Sequence, residues 1–248
     1  MKNYDERWID NNGVRLHVGE MNRGNNSETP FVIIPGLSES VEDYIPIMEK
    51  LSPRHCVTIT LRGRGQSDTP AKGYTLDDHI SDIDAVIKEL GLKRFILMGY
   101  SRGVSYTIGY AVKNPSLLDG LIIGDYPAIH TQLPDGWVDF FSKLPPWRGK
   151  SLSERMKPEA LHGLQKESSL VTFWDDLSVI TCPVLIIAGG KQGAVLREEL
   201  IENYKTTLPH AEVVVFEDSD HNLFEPDLNT FIQTAQSFFQ TCNASQVK

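Results

Sequence analysis

The chain has 248 residues, 40% of them hydrophobic, which is enough for one large α/β domain with a single core. A formal net charge of -9 disfavours general affinity for nucleic acid or anionic membrane, because such binding relies on a basic surface that neutralises phosphates. Three cysteines without metal-ligand spacing, a polar start at Met1–Arg7 and no apolar run of membrane-spanning length lead to the expectation of a cytoplasmic protein with reduced thiols and neither metal nor cofactor.

Asn11-Asn12-Gly13 is a strong turn signal between two alternating segments, Glu6 to Asp10 and Val14 to Gly19, so the chain is expected to open with a β-hairpin. Short apolar strands are then predicted at Phe31–Ile34, Cys56–Leu61, Phe95–Met98, Leu118–Gly124, Val184–Ala188 and Val213–Phe216. Between most of them lie helix-period segments at Glu42–Leu51, Leu76–Leu90, Arg102–Lys113 and Leu196–Lys205, and Leu228–Phe239 closes the chain. Continuous apolar strands that alternate with helices imply an α/β fold with a largely parallel sheet covered on both faces. The alternation lapses once. Residues 126–178 carry Trp137, Phe140, Phe141, Trp147, Phe173 and Trp174 among prolines and charges, with no evident strand. This stretch reads as a helical cap inserted into a core made of residues 1–125 and 179–248.

Gly99-Tyr100-Ser101-Arg102-Gly103 follows an apolar strand and opens onto a helix. A serine in so sharp a turn takes a strained backbone, and glycines two residues to either side leave room for it. The turn exposes the Ser101 hydroxyl and places the Arg102 backbone N–H at a helix N-terminus, where it can donate to an oxyanion. A serine hydroxyl needs a base, and the imidazole of His221, after the last strand and the acidic loop Glu217-Asp218-Ser219-Asp220, suits that task. His17, His55, His79, His130, His162 and His210 read as core or surface residues. Arg62-Gly63-Arg64-Gly65 is too short for an RNA contact and lacks the third glycine of a dinucleotide loop, so it reads as scaffold.

These motifs, with Pro35-Gly36-Leu37-Ser38 after the third strand and His221-Asn222-Leu223-Phe224-Glu225-Pro226 near the end, resemble the α/β-hydrolase superfamily, in its branch of small, capped, esterase-like enzymes. The resemblance covers nearly the whole chain. It implies an α/β-hydrolase fold with a small helical cap, Ser101 as nucleophile, His221 as base, and the backbone N–H groups of Leu37 and Arg102 as an oxyanion hole. Members often carry His-Gly where this chain has Pro35-Gly36, but the donor there is a backbone amide. The Arg102 side chain is expected to turn away from the pocket and pair with an acidic neighbour.

The acid departs from the usual pattern. Most members place it after the seventh strand in a loop close to Gly-x-x-Asp, where this chain has Gly189-Gly190-Lys191-Gln192-Gly193. Some members place it after the sixth strand, where Asp125 stands. Asp218 and Asp220 would have to fold back on their own loop, and a Ser–His dyad without an acid is a further alternative. The implied activity is hydrolysis of a small-molecule carboxylic ester, with thioester, lactone and carbon–carbon cleavage left open. A receptor-like protein that binds a hydrophobic ligand with little turnover is the reading from a different class.

Overall fold

A computed structural model describes residues 4–25 and 27–245. The chain folds in the order β1 (Asp5–Asn11), β2 (Val14–Met21), β3 (Phe31–Ile34), α1 (Val41–Lys50), β4 (Cys56–Ile59), α2 (Leu76–Leu90), β5 (Phe95–Tyr100), α3 (Gly103–Lys113) and β6 (Leu118–Gly124). After β6 come β7 (Ile129–His130), α4 (Trp137–Phe141), α5 (Leu152–Arg155), α6 (Pro158–Glu167) and β8 (Val171–Thr172). The chain then returns to the sheet with β9 (Val184–Gly189), α7 (Glu198–Thr207), β10 (Glu212–Phe216) and α8 (Leu228–Ser245).

Eight strands form one sheet in the order β1-β2-β4-β3-β5-β6-β9-β10. The β1–β2 and β2–β4 pairs are antiparallel, and every other pair is parallel. The central strands are buried along their whole length because helices cover both faces. Alternation along each strand splits the core in two. Val32, Leu97, Ile123 and Ile186 face α2 and α3, while Phe31, Ile33, Met98 and Ile122 face α1 and α8. Helix α2 shows how locally the elements are encoded. Thr75 caps its start reciprocally with Asp78, Gly91 ends it with φ of 65°, and its buried face runs through Ile80, Ile83, Val86 and Ile87.

The segment between β6 and β9 differs from the helical cap expected, for Phe173 and Leu177 pack into the core with α2 and α3. Nor is it wholly helical, because Ile129–His130 and Val171–Thr172 pair as a two-stranded antiparallel sheet. Two-residue strands that meet across some forty positions leave no periodicity to read. A third apolar cluster, of Val138, Met156, Ala160, Leu161 and Leu164, joins this segment to Tyr74. Helices α1 and α3 shift by one residue from the sequence reading, α7 runs Glu198–Thr207 where Leu196–Lys205 was expected, and α8 runs on to Ser245. No described helix is long and apolar enough to cross a membrane. Cys56, Cys182 and Cys242 are free, and burial pushes each thiol up to about 12, which keeps them protonated and weakly nucleophilic.

Candidate active site

Ser101 stands between β5 and α3 with φ of 53°, and its backbone N–H donates to the Gly124 carbonyl at 2.9 Å. Left-handed backbone at a non-glycine residue costs about 1–2 kcal/mol and persists only where the surroundings enforce it. The glycines on either side permit that enforcement. A Cβ on Gly99 would lie 2.4 Å from Thr107 Oγ1, and one on Gly103 would lie 2.3 Å from the Pro35 carbonyl oxygen. The turn is thus pressed against both α3 and the loop after β3.

His221 lies in the loop between β10 and α8. Its Nε2 is 2.8 Å from Ser101 Oγ, and its Nδ1 is 2.7 Å from Asp125 Oδ2. A carboxylate can only accept, so Nδ1 carries the proton and Nε2 is left to accept from the Ser101 hydroxyl. The Tyr100 ring stacks on the imidazole at 5.3 Å, and the Tyr100 hydroxyl donates to the His221 carbonyl at 2.5 Å. Ring and backbone of the histidine are therefore both held from β5.

Asp125 is fully buried, with φ of 43°, at the C-terminal end of β6. Its Oδ2 accepts from the Val195 N–H at 2.9 Å, and its Oδ1 accepts from the Leu196 N–H at 3.0 Å and the Gly189 N–H at 3.4 Å. A buried carboxylate is tolerable when its lone pairs are filled in this way. The donors come from the last residue of β9 and the loop after it, where the sequence lacks an acid. The other candidates lie elsewhere. Asp220 accepts from the Asn222 N–H at 2.8 Å, Asp218 faces Lys191 at 3.7 Å, and Gln192 is exposed.

The Leu37 and Arg102 N–H groups have no protein acceptor among the described residues, whereas the neighbouring Gly36 N–H is taken by Glu39. Leu37 borders the same cavity as Ser101 and His221. The Arg102 side chain does turn away, but the expectation of an acidic partner fails. It donates to Tyr106 Oη at 3.2 Å, Thr131 Oγ1 at 2.8 Å and the Thr131 carbonyl at 3.0 Å, and lies 3.2 Å from His130 Nε2. Burial, with the Arg102 charge beside it, pushes His130 down to about 3, so its ring is neutral.

Arg62 and Arg64 are built into the scaffold. Arg62 makes a bidentate pair with buried Asp82 at 2.8 and 2.6 Å. Arg64 donates to the Leu37 carbonyl at 2.9 Å and lies 2.7 Å from His79 Nε2. Burial and the Arg64 charge hold His79 well below the usual histidine range. Among the described residues, Glu6, His17 and Glu42 could offer three ligand atoms within 4.8 Å of one another, but the Gln66 amide donates to both carboxylates, at 3.4 and 2.7 Å.

A cavity of about 340 Å³ opens over Ser101 and His221, walled by Leu37, Phe141, Leu144, Pro146, Trp147 and Leu152. Its aromatic and proline wall comes from the segment between β6 and β9. Three charged residues at this wall were not singled out from sequence: half-buried Lys150, and two that are buried, Glu39 and Arg155. None belongs to a motif, and a lone acidic residue three positions after Gly36 is the one available signal for Glu39.

An eight-stranded, mostly parallel sheet with a serine elbow after its fifth strand and a histidine loop before its last helix defines an α/β-hydrolase fold. A family model described as the Alpha/beta hydrolase family matches residues 31–229, and the chain belongs to that family. The AB hydrolase superfamily protein YisY of Bacillus subtilis is 26% identical over 246 residues, covering 85% of this chain and 90% of that protein. A 2-(acetamidomethylene)succinate hydrolase of Mesorhizobium japonicum is 30% identical over 132 residues, which is 52% of this chain; the match spans 46% of that relative, about half its length. In structure, an esterase from Rhodococcus sp., RhEst1, is similar with a TM-score of 0.78 at 18% identity, covering 97% of this chain and all of that one. Likeness at that identity fixes the fold. Family membership supports a hydrolytic enzyme.

Proposed function

We propose that this chain is a serine hydrolase that cleaves carboxylic esters of small or medium hydrophobic substrates through an acyl-enzyme. The observation that carries the reading is the unbroken line of hydrogen bonds from Asp125 through His221 to Ser101, 2.7 and 2.8 Å long. Ser101 Oγ attacks the ester carbonyl carbon as His221 Nε2 takes its proton. The resulting imidazolium lies against the Asp125 carboxylate, which stabilises it and holds the tautomer. The carbonyl oxygen, now negative, accepts from the Leu37 and Arg102 N–H groups. His221 then passes its proton to the departing alkoxide, and the alcohol leaves. Water repeats the sequence on the acyl group, giving its proton to His221 and releasing the acid and free Ser101.

The wall is mostly apolar, with Lys150 and Arg155 also lining it, and with the modest volume it supports a compact, largely hydrophobic acyl or alcohol group. Esterases among the structural neighbours agree with ester cleavage. The receptor-like reading drew on the missing carboxylate after β9, whereas Asp125 at 2.7 Å from His221 Nδ1 supports the catalytic one. Labelling with a fluorophosphonate, alongside Ser101→Ala, tests the proposal. Wild type should label and hydrolyse an activated short-chain ester, and the variant should do neither. A wild-type protein that does not label sinks it.

A further inference from the structure

Glu39 is a buried carboxylate, 2% exposed, that the chemistry proposed above does not use. It takes four donors from three parts of the chain. Its Oε2 accepts from the Gly36 N–H at 3.0 Å and the Tyr44 hydroxyl at 2.6 Å. Its Oε1 accepts from the Trp147 indole N–H at 2.8 Å and from Arg148 Nη1 at 3.3 Å. Gly36 immediately precedes the Leu37 amide, and Trp147 belongs to the wall that covers the site. One oxygen thus holds the loop after β3, and the other holds the cover.

The loop is fixed on both flanks of the amide that matters. Gly36 is tied through its N–H to Glu39, and Leu37 is tied through its carbonyl to Arg64 at 2.9 Å. The peptide between them, whose N–H is that of Leu37, has little freedom to rotate. Gly36 also leaves no slack, because a Cβ there would meet Glu39 Oε2 at 2.9 Å and Ser101 Cβ at 3.3 Å.

The cover is held with comparable effort. Trp147 and Lys150 exchange backbone hydrogen bonds of 3.0 and 3.1 Å, and between them Arg148 and Gly149 have φ of 47° and 77°. Two positive φ values suit a tight hairpin, but arginine is a costly residue for the first of them. Arg148 persists there because its guanidinium is engaged by Glu39 and by the Asp43 carbonyl at 2.9 Å, and sits 5.0 Å from the Phe224 ring. Arg155 adds a bond to the Trp147 carbonyl at 2.7 Å while paired with Asp43 at 2.7 and 3.1 Å. The Trp147 ring in turn stands 6.1 Å from that of His221.

We infer that Glu39 is a positioning residue that makes seating of the Trp147–Lys150 turn and alignment of the Leu37 oxyanion donor a single event. When the turn is seated, Trp147 and Arg148 fix Oε1, the carboxylate is locked, and Oε2 holds the Gly36 peptide in register with Ser101. When the turn lifts, the carboxylate loses two of its four donors and the loop after β3 loosens. The inference rests on the serine-hydrolase reading, and its test separates the two.

Glu39→Gln keeps size but replaces one acceptor with an NH2 group that faces a donor, so one of the two links must break. Trp147→Phe removes only the indole donor. Both variants and their combination would be assayed on an activated short-chain ester, with active-site concentration set by fluorophosphonate titration. The expected result is a fall in kcat per titrated site of about 10- to 100-fold for E39Q with KM within threefold, the size expected of a misplaced transition-state donor. W147F should lose about 3- to 10-fold, and the double variant should be no slower than E39Q, because both act through one linkage. A wild-type kcat for E39Q with only a lower Tm would show a purely structural role and overturn the inference, as would additive losses in the double variant. If E39Q does not fold, an unchanged kcat in W147F overturns it. Failure of the wild type to label would instead overturn the hydrolase reading itself.

Discussion

The loop that leaves β6 and the loop that leaves β9 rise from neighbouring strands, with Gly124 paired to Ile187, yet they offer His221 and each other opposite chemistry. The first begins with a buried carboxylate, Asp125. The second contains no acid within Gly189–Gly193 and, with the last residue of β9, spends three backbone N–H groups on the carboxylate of its neighbour. Two adjacent strand ends can therefore exchange the duty of facing the histidine, provided that the loop without the acid supplies the donors that a buried carboxylate demands. The position of the acid is fixed less by a motif than by which strand end can reach Nδ1 and which can solvate the charge.

The largest effect should come from removing the charge at β6. Asp125→Asn keeps the size of the side chain but cannot stabilise an imidazolium or hold its tautomer, so kcat/KM for an activated ester should fall by about 10³- to 10⁴-fold. A loss below tenfold would mean that His221 finds its acid elsewhere and would dissolve the contrast between the two loops.

A second comparison lies among the histidines. His221 is partly open at the site, whereas His79 and His130 are buried beside Arg64 and Arg102. His130 stays neutral in the fold down to about pH 3, whereas in the unfolded chain it takes up a proton near pH 6.5. Between those values the unfolded state binds more protons, so stability rises with pH across the window and is lost as pH falls through it. Each such histidine contributes a slope of up to about 1.4 kcal/mol per pH unit. Urea unfolding between pH 7 and pH 4.5 should show His130→Gln losing stability less steeply than wild type. Equal slopes would mean that His130 is charged in the folded protein.

Much of this was legible in the sequence. The parallel strands announce themselves because strands buried on both faces must be continuously apolar. The elbow does so because only small residues tolerate the approach of Thr107 and the Pro35 carbonyl. Asp125 could be weighed because it ends a readable strand. The rest depends on contacts between distant segments. The β7–β8 pair is too short to carry a period, and the Arg102 side chain finds hydroxyl, carbonyl and imidazole partners in a segment twenty-eight or more residues away. Glu39 carries no pattern at all, since its meaning comes from Trp147 and Arg148, more than one hundred positions on.

The donor side of the loop comparison can be probed without touching any side chain at the site. Val195→Pro removes one N–H that Asp125 Oδ2 accepts at 2.9 Å, the same oxygen that faces His221. Losing one hydrogen bond to a charged acceptor should cost about 1.5–3 kcal/mol in the stability of the loop. It should also lower kcat/KM by about tenfold through a less rigid carboxylate. Circular dichroism melting beside ester kinetics measures both. An unchanged rate with a lowered Tm would mean that the amide solvates the charge without orienting it.

The smallest effect should come from Gln192, which stands where most relatives of this fold carry their acid. Its side chain is exposed and makes no hydrogen bond among the described residues, so truncation removes only solvated atoms. Gln192→Ala should leave kcat/KM within twofold, in line with surface substitutions that stay within about 0.5 kcal/mol. The comparison with D125N then becomes quantitative, because the two positions represent the two strand ends and a single assay ranks them. A loss above tenfold for Q192A would place a working hydrogen bond from this loop to His221 when substrate is bound, and the acid's duty would be shared between the strand ends instead of resting on Asp125.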